Sequence, residues 1–365
     1  MELKESKING GWKVEIVEGE RSVSRLWIVD RQMRVGRCPV LLGGIAGVGT
    51  DSQYRLRGLS RRVMNASLEL MRREGYDASF LYGISDFYDK FGFVTCMPER
   101  RLYVNTRDAE RAAKKLSLRA SRPGDLASIA RIYNRDNARR TASVVRDRKW
   151  GGFTMGSNFG VPVKASVVVD AQQRVCGYVA YDAVEERCRA AEVGGEGEAV
   201  FSTILHFLAR RAVALRRREL SLSMPVDHPF AHYCRSFGCR DSTHFSRNAG
   251  PMGCIVNLPS FIGKIAPELE ERWGAADRGL ALELKTDIGR CALGWKRGKL
   301  AVSEKLEGAL VARLKQDALM QLAMGYLTAG DLRNAAKLRA GRETVALLER
   351  LFPLQTAHMW WSDRF

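Results

Sequence analysis

The sequence predicts an α+β protein built on mixed sheets, and three observations carry that expectation. Short strands, alternating or wholly apolar, are interleaved with amphipathic helices. One strand–helix–strand–helix order occurs twice at an offset of 145 residues. Val48-Gly49 precedes Tyr88 by 40 residues, and Val193-Gly194 precedes Tyr233 by the same interval. A third segment has strands and helices of its own. The expected layout is residues 1–110, a second copy over 111–250, and a third part over 251–365.

WKVEIV (12–17) alternates as a half-buried strand does, EGE is a turn, and SVSRLWIV (22–29) is the next strand. VLLGGIAGVGT extends to Thr50. An arginine-rich polar stretch follows, and Leu59, Val63, Ala66 and Leu70 then fall on one face of a helix that Gly75 stops. ASFLYG (78–83) is a short buried strand. SDFYDKFGF (85–93) is a capped turn of helix running into glycine, and RRLYVNT is expected to close the first unit. In the second copy HYCRSFGC follows ELSLSMP. In the third part LALELK and GRCALGWKRGKLAVSE are strands, KRGK is a hairpin turn, and ALMQLAMGYL, GDLRNAAKL and TVALLERLF have helical spacing.

Composition excludes several classes. With 45% hydrophobic and 27% charged residues, the 365-residue chain is globular rather than disordered or collagen-like. No apolar run reaches the length of a membrane span, and MELKESKINGGWK has no apolar core of a secretory signal. The eight scattered cysteines form no CxxC pair and read as reduced thiols of a cytoplasmic protein. The net charge is +18, and residues 111–250 carry +11 of it. Such a surface attracts anionic partners. Zinc-finger spacing and RNA-binding strand motifs are absent from the sequence, so nucleic acid is not the expected partner.

The informative stretch is VGTDSQYRLRGLSRRVM. A strand ends at Thr50 and a helix starts near Leu59. A helix start offers unpaired N–H groups and a positive dipole end to an anion. Gly58 removes a Cβ there, and Arg55, Arg57, Arg61 and Arg62 surround it with charge. Spacing alone leaves two readings open: a diphosphate nest, or a solvated basic loop capping a helix.

RLRGLS resembles the Arg/Gln-x-x-Gly-x-Gly/Ala loop of the GNAT acetyltransferases. Tyr88 with Phe91-Gly92-Phe93 resembles their Tyr-x-x-x-Gly-Phe signature. The resemblance implies two tandem GNAT-like folds, the first shortened at its N-terminus. It implies acetyl-CoA as co-substrate, its diphosphate held by the backbone of Leu56, Arg57, Gly58, Leu59, Ser60 and Arg61 with Arg55 nearby. Val48, Gly49 and Thr50 would pair with the pantetheine arm, and Gly83 and Ile84 would flank the thioester. Ser60 stands where glycine or alanine is usual, which predicts a more crowded turn.

The whole chain resembles the Eis-type acetyltransferases, tandem GNAT folds followed by a sterol-carrier-like domain. ALMQLAMGYLTAGDL and the terminal LFP…DRF carry that part of the likeness. It implies Tyr88 as general acid and the carboxylate of Phe365, the last residue, as base. It also implies a small-molecule or peptide amine acceptor and a homo-oligomer, often a hexamer in that family. The competing function class is a CoA- or apolar-ligand-binding protein without catalysis.

At the 145-residue offset Arg55 becomes Val200, Gly58 becomes Thr203 and Ser60 becomes Leu205, while Glu196 and Glu198 lie at the loop. Like charge opposes a diphosphate there, so the second copy is expected to be structural. His228, His232, Cys234 and Cys239 approach a zinc pattern, but Pro229 interrupts it, and no metal is expected.

Overall fold

The computed structural model describes residues 1–147, 150–153, 163–182, 188–274 and 277–365. They form two compact units. One comprises residues 1–98, 245–357 and Phe365; the other comprises 99–244 and 358–364.

In unit one, β1 (Glu2–Ile8), β2 (Gly11–Glu18), β3 (Arg21–Val35) and β4 (Cys38–Thr50) form an antiparallel meander. Strand β1 was not expected, because every one of its residues is exposed and ELKESKI has no apolar face to read. Gly36, at φ +57, turns β3 into β4. Helix α1 (Leu59–Arg73) follows, burying Leu59, Val63, Met64, Leu70 and Met71. Gly75, at φ +77, ends it, with Arg72 and Arg73 in its last turn where the dipole favours cations. Next come β5 (Ala78–Gly83), a 3-10 turn over Tyr88–Phe91 and β6 (Val94–Thr95).

The sheet is completed from far along the chain. Strand β14 (Gly250–Ile255) lies antiparallel between β5 and β6, giving the order β1-β2-β3-β4-β5-β14-β6. The core of this unit gathers Val14, Ile16, Leu26, Ile28, Val63, Leu70, Leu81, Phe93 and Met252.

The rest of unit one is a second α+β layer. It holds a five-stranded sheet of β15 (Leu282–Thr286), β16 (Gly289–Lys296), β17 (Lys299–Ser303), β18 (Leu310–Leu314) and β19 (Leu338–Arg339), in the order β17-β16-β15-β18-β19. Arg297 and Gly298, both at positive φ, make the expected KRGK turn.

In unit two, β7 (Glu99–Asn105), α2 (Thr106–Ala109), β8 (Ser117–Ala120), α3 (Leu126–Asp136), β9 (Val163–Val169), β10 (Val175–Asp182) and β11 (Arg189–Gly195) precede α4 (Glu198–Ala214). Then come β12 (Glu219–Leu222), α5 (Pro229–Arg235) and β13 (Cys239–His244). The sheet order is β13-β7-β12-β11-β10-β9-β8. RRLYVNT, expected to close the first copy, is β7 and sits between β12 and β13 of the second. The copies trade closing strands: β7 does for unit two what β14 does for unit one. Both strands are hydrogen-bonded on both edges, which satisfies their backbone polar groups.

The helices of unit one's second layer are α6 (Leu258–Trp273), α7 (Gln316–Ala323), α8 (Ala329–Asn334) and α9 (Arg342–Leu351). The last three match the helical spacings of the sequence. Helix α6 was missed, although Asn257 caps it through Ser260 N and Phe261, Ile262, Ile265 and Leu269 line its buried face.

Candidate active site

The site begins where two parallel strands part. β4 and β5 pair at Leu42 with Ala78, Gly43 with Ser79 and Gly44 with Phe80. Beyond Gly44 the two run on unpaired with each other. Strand β4 keeps β3 on its other edge to Thr50, and β5 keeps β14 to Gly83. A bulge in β4 accompanies the parting: the β3–β4 register shifts between Arg25 and Trp27. Gly47 has φ +56, and a Cβ there would lie 2.5 Å from the Trp27 ring. The free edge of β4 therefore offers the backbone of Val48, Gly49 and Thr50, all half-buried.

The chain then turns into α1 through residues that aim backbone N–H groups outward. Leu56 and Gly58 both have positive φ, 63° and 73°. Alternating left-handed residues of this kind form anion-binding concavities. Leu56 is fully exposed, and no atom lies within 4 Å of a Cβ built on Gly58. The first turn of α1 has no side-chain cap and no acidic residue. Arg55, Arg57, Arg61 and Arg62 are exposed, and among the described residues none of them is ion-paired with a carboxylate. Arg57 lies over the Tyr54 ring at 5.2 Å, while Asp51 is held by Arg21 at 2.8 Å. The crowding expected of Ser60 does not arise. Its hydroxyl is 2.8 Å from Thr50 Oγ1, which is itself 2.8 Å from Ser24 Oγ. Ser60 thereby ties the helix start to the end of β4.

Two groups flank the parted strands. The Tyr88 ring packs on Gly83, where a Cβ would come within 2.7 Å of Tyr88 Cδ2. Phe87 and Phe93 meet it edge-on at 4.8 and 6.3 Å. Burial raises the Tyr88 pKa, so its phenol stays protonated at neutral pH. The Phe365 ring lies on Gly44, 2.7 Å from where a Cβ would stand. Gly43 meets Met71 of α1, so strand alternation puts Phe365 on the face of β4 away from that helix. Ile84, just past β5, is 68% exposed.

Unit two presents the same elements differently. Gly197, at φ +87, precedes α4, whose first residue is Glu198. Glu198 bonds Lys115 Nζ at 2.7 Å, and Glu196 lies 3.3 Å from Arg135. Ser202 and Thr203 accept hydrogen bonds from the backbone N–H groups of Ala113, Lys115 and Leu116. Residues 113–116 are thereby tied along α4, while Gly197 itself is exposed, with no atom within 4 Å of a Cβ built on it. The zinc-like residues have another use: His228 caps α5 by accepting from Phe230 N at 3.2 Å, and burial holds its imidazole down to about 3. Among the described residues no group of three His, Cys, Asp or Glu side chains is arranged to hold a metal ion, and all eight cysteines are free thiols. Among those residues no helix is long and apolar enough to cross a membrane.

The terminal tail is ordered by unit two up to Arg364. Trp360 is fully buried and its indole N–H donates to Asn137 Oδ1 at 2.8 Å. Asp363 meets the buried Arg146, which also forks onto both Glu192 oxygens at 2.7 Å. No sequence pattern announced this cluster, because its members are remote in the chain.

Residues 1–96, which hold the parted strands and the Gly58 helix start, match the family model described as an acetyltransferase (GNAT) domain. No curated protein is detectably similar in sequence. Solved structures are similar over nearly the whole chain. A probable N-acyltransferase from Enterococcus faecalis has a TM-score of 0.77 at 15% identity, covering 98% of this chain and 90% of that one. A GCN5-related N-acetyltransferase from Kribbella flavida has 0.74 at 19%, covering 97% and 87%. Eis1 from Mycobacterium abscessus has 0.65 at 16%, covering 97% and 91%. At such identities the shared property is the fold: tandem GNAT-like folds in the arrangement of the Eis-like proteins.

Proposed function

We propose that the protein transfers an acetyl group from acetyl-CoA to an amine on a small molecule or peptide. The observation that carries this reading is the parting of β4 from β5 beside an uncapped helix start bearing Gly58 and four exposed arginines, none ion-paired with a carboxylate among the described residues. The extended pantetheine arm suits the free edge at Val48, Gly49 and Thr50. The diphosphate suits the N–H groups from Leu56 to Arg61, with Arg55 and Arg57 adding charge. The thioester then falls between the strands, near Gly83 and Ile84.

Two proton movements complete the reaction. The amine must lose a proton as it attacks the carbonyl carbon, and the departing thiolate must gain one. Tyr88, kept protonated by burial, is assigned as the acid. The Phe365 carboxylate is assigned as the base, its ring seated on Gly44 beside the last pair before the strands part. Holding amine and thioester together supplies much of the rate gain. Residues 251–365 are assigned as sterol-carrier-like on the sequence resemblance. The test is a mass-spectrometric screen of amines with acetyl-CoA. Tyr88→Phe and removal of Phe365 are each expected to lower kcat at least ~100-fold. Acetyl-CoA binding in calorimetry with no acetylated product from any amine would favour the non-catalytic reading.

A further inference from the structure

The Tyr88 turn is gripped by a side chain from more than two hundred residues away. Gln316, the first residue of α7, is 5% exposed. Its Nε2 donates to the carbonyl of Gly92, which ends the Tyr88–Phe91 turn, and its Oε1 accepts from Ile255 N of β14 at 2.8 Å. One partner is an acceptor and the other a donor, so the amide has a single orientation. Its backbone N–H is held by Asp287 Oδ1 at 2.7 Å. A Cβ on Gly92 would lie 2.8 Å from Gln316 Nε2, so glycine is required there for more than its φ of +85°. Gly92 N bonds Asp89 O and Phe93 N bonds Tyr88 O, which makes the turn one closed unit. Gln321, a turn and a half further along α7, repeats the grip by donating to Thr95 O at 2.9 Å.

We propose that Gln316 is a positioning residue for Tyr88, and that the segment carrying α7 serves the reaction by clamping the tyrosine turn against β14. The proposal rests on the reading of Tyr88 as the acid. A side chain fixed at both ends holds the turn, and a shift of about 1 Å in a reacting group costs on the order of a hundredfold in rate.

The test uses the full chain with acetyl-CoA and an accepted amine. Gln316→Glu keeps the acceptor for Ile255 N but turns a carboxylate oxygen toward the Gly92 carbonyl. Protonating that carboxyl restores a donor of nearly the same shape. The ratio of variant to wild-type kcat is therefore expected to be down ten- to a hundredfold (order of magnitude) at pH 8 and to climb as pH falls toward 6, with KM for acetyl-CoA unchanged. A purely structural role would lower Tm and leave the kcat ratio flat across pH. A flat ratio near one, with Tyr88→Phe inactive, overturns the clamp and leaves the mechanism standing. Full activity in Tyr88→Phe overturns both. Should Gln316→Glu not fold, Gln316→Met removes both bonds without burying a charge. Wild-type kcat in folded Gln316→Met overturns the clamp, and a loss at every pH supports it.

Discussion

The helix starts at Leu59 and Glu198 occupy corresponding places in the two copies and have opposite chemistry. At the first, no atom lies within 4 Å of a Cβ on Gly58, and no acid stands in the first turn. At the second, Gly197 is equally open, but Glu198 starts the helix and Glu196 precedes it, each ion-paired with a basic side chain. At the 145-residue sequence offset, Gly83, which leaves room for the Tyr88 ring, falls on the buried His228. Gly47, the bulge of β4, corresponds to Glu192, which binds Arg146. The two helix starts differ in charge rather than in room: the first carries exposed arginines, the second two glutamates. One topology thus carries two chemically different helix starts, and a handful of positions decide which.

The most direct test concerns the open end. Gly58→Asp puts a carboxylate on the left-handed residue that starts α1, opposing any diphosphate and straining the turn. CoA affinity measured by calorimetry is expected to fall at least ~100-fold, which is about 2.7 kcal/mol. Gly197→Asp, at the start of the second copy's helix, is expected to leave that affinity unchanged. Equal losses in both would erase the contrast between the copies.

The closed copy is expected to depend on its buried charges. Arg146 lies 3.6 Å from the Tyr133 ring centre and bonds Glu192 and Asp363, both buried. Arg146→Met strands two carboxylates, a change that typically costs ~3–5 kcal/mol. Urea denaturation followed by tryptophan fluorescence reads this directly. A loss under ~1 kcal/mol would mean that the cluster is not what closes the second copy.

Much of the candidate site was legible because it is local. Leu59 to Leu70 show helical spacing, ASFLYG is bounded by turn residues, and the Tyr88–Gly92 turn lies within five residues. What escaped is non-local or unpatterned. ELKESKI makes a strand only because β2 pairs with it, and its exposure on both faces leaves no periodicity. The exchange of β7 and β14 is invisible because either strand has a suitable pattern for either sheet, and only the partner edges decide. Gln316 and Arg146 look like ordinary polar residues until the hydrogen-bond partners of their side chains, each more than 45 positions away, are known.

A smaller effect separates the copies by pH. His228 is neutral when folded, its pKa held at about 3 first by burial and then by Arg140 and His232, against 6.5 unfolded. The unfolded chain binds the proton more readily, so this contribution is complete above pH 6.5 and is lost as pH falls toward 3. The slope is at most about 1.4 kcal/mol per pH unit. His228→Asn keeps a side-chain cap for α5 and removes the titration. The variant's stability between pH 7 and 4.5 is expected to fall less steeply than wild type, by up to one proton. Parallel curves would show that His228 is not held neutral. Gly83, its match at the 145-residue sequence offset, has no group to titrate, so a Gly83→Ala variant is expected to keep the wild-type slope.

The smallest expected effect is no change at all, and it is the sharpest test of why the second copy is closed. If Glu196 and Glu198 alone repelled a diphosphate, Glu196→Ala with Glu198→Ala would open a second CoA site. Removing them frees Lys115 and leaves Arg135 on Asp136 at 2.8 Å, so the helix start becomes more positive. Yet Ser202 and Thr203 still hold the chain at Ala113, Lys115 and Leu116 across the first turns of α4, and Val200 and Leu205 stay in the core. β11 ends at Gly195 and α4 starts at Glu198, so the backbone there has no counterpart of the 51–58 loop to cradle a diphosphate. Calorimetric stoichiometry is therefore expected to stay at one CoA per chain in the double variant. A second equivalent would mean that charge, not the missing loop, had kept the second copy empty.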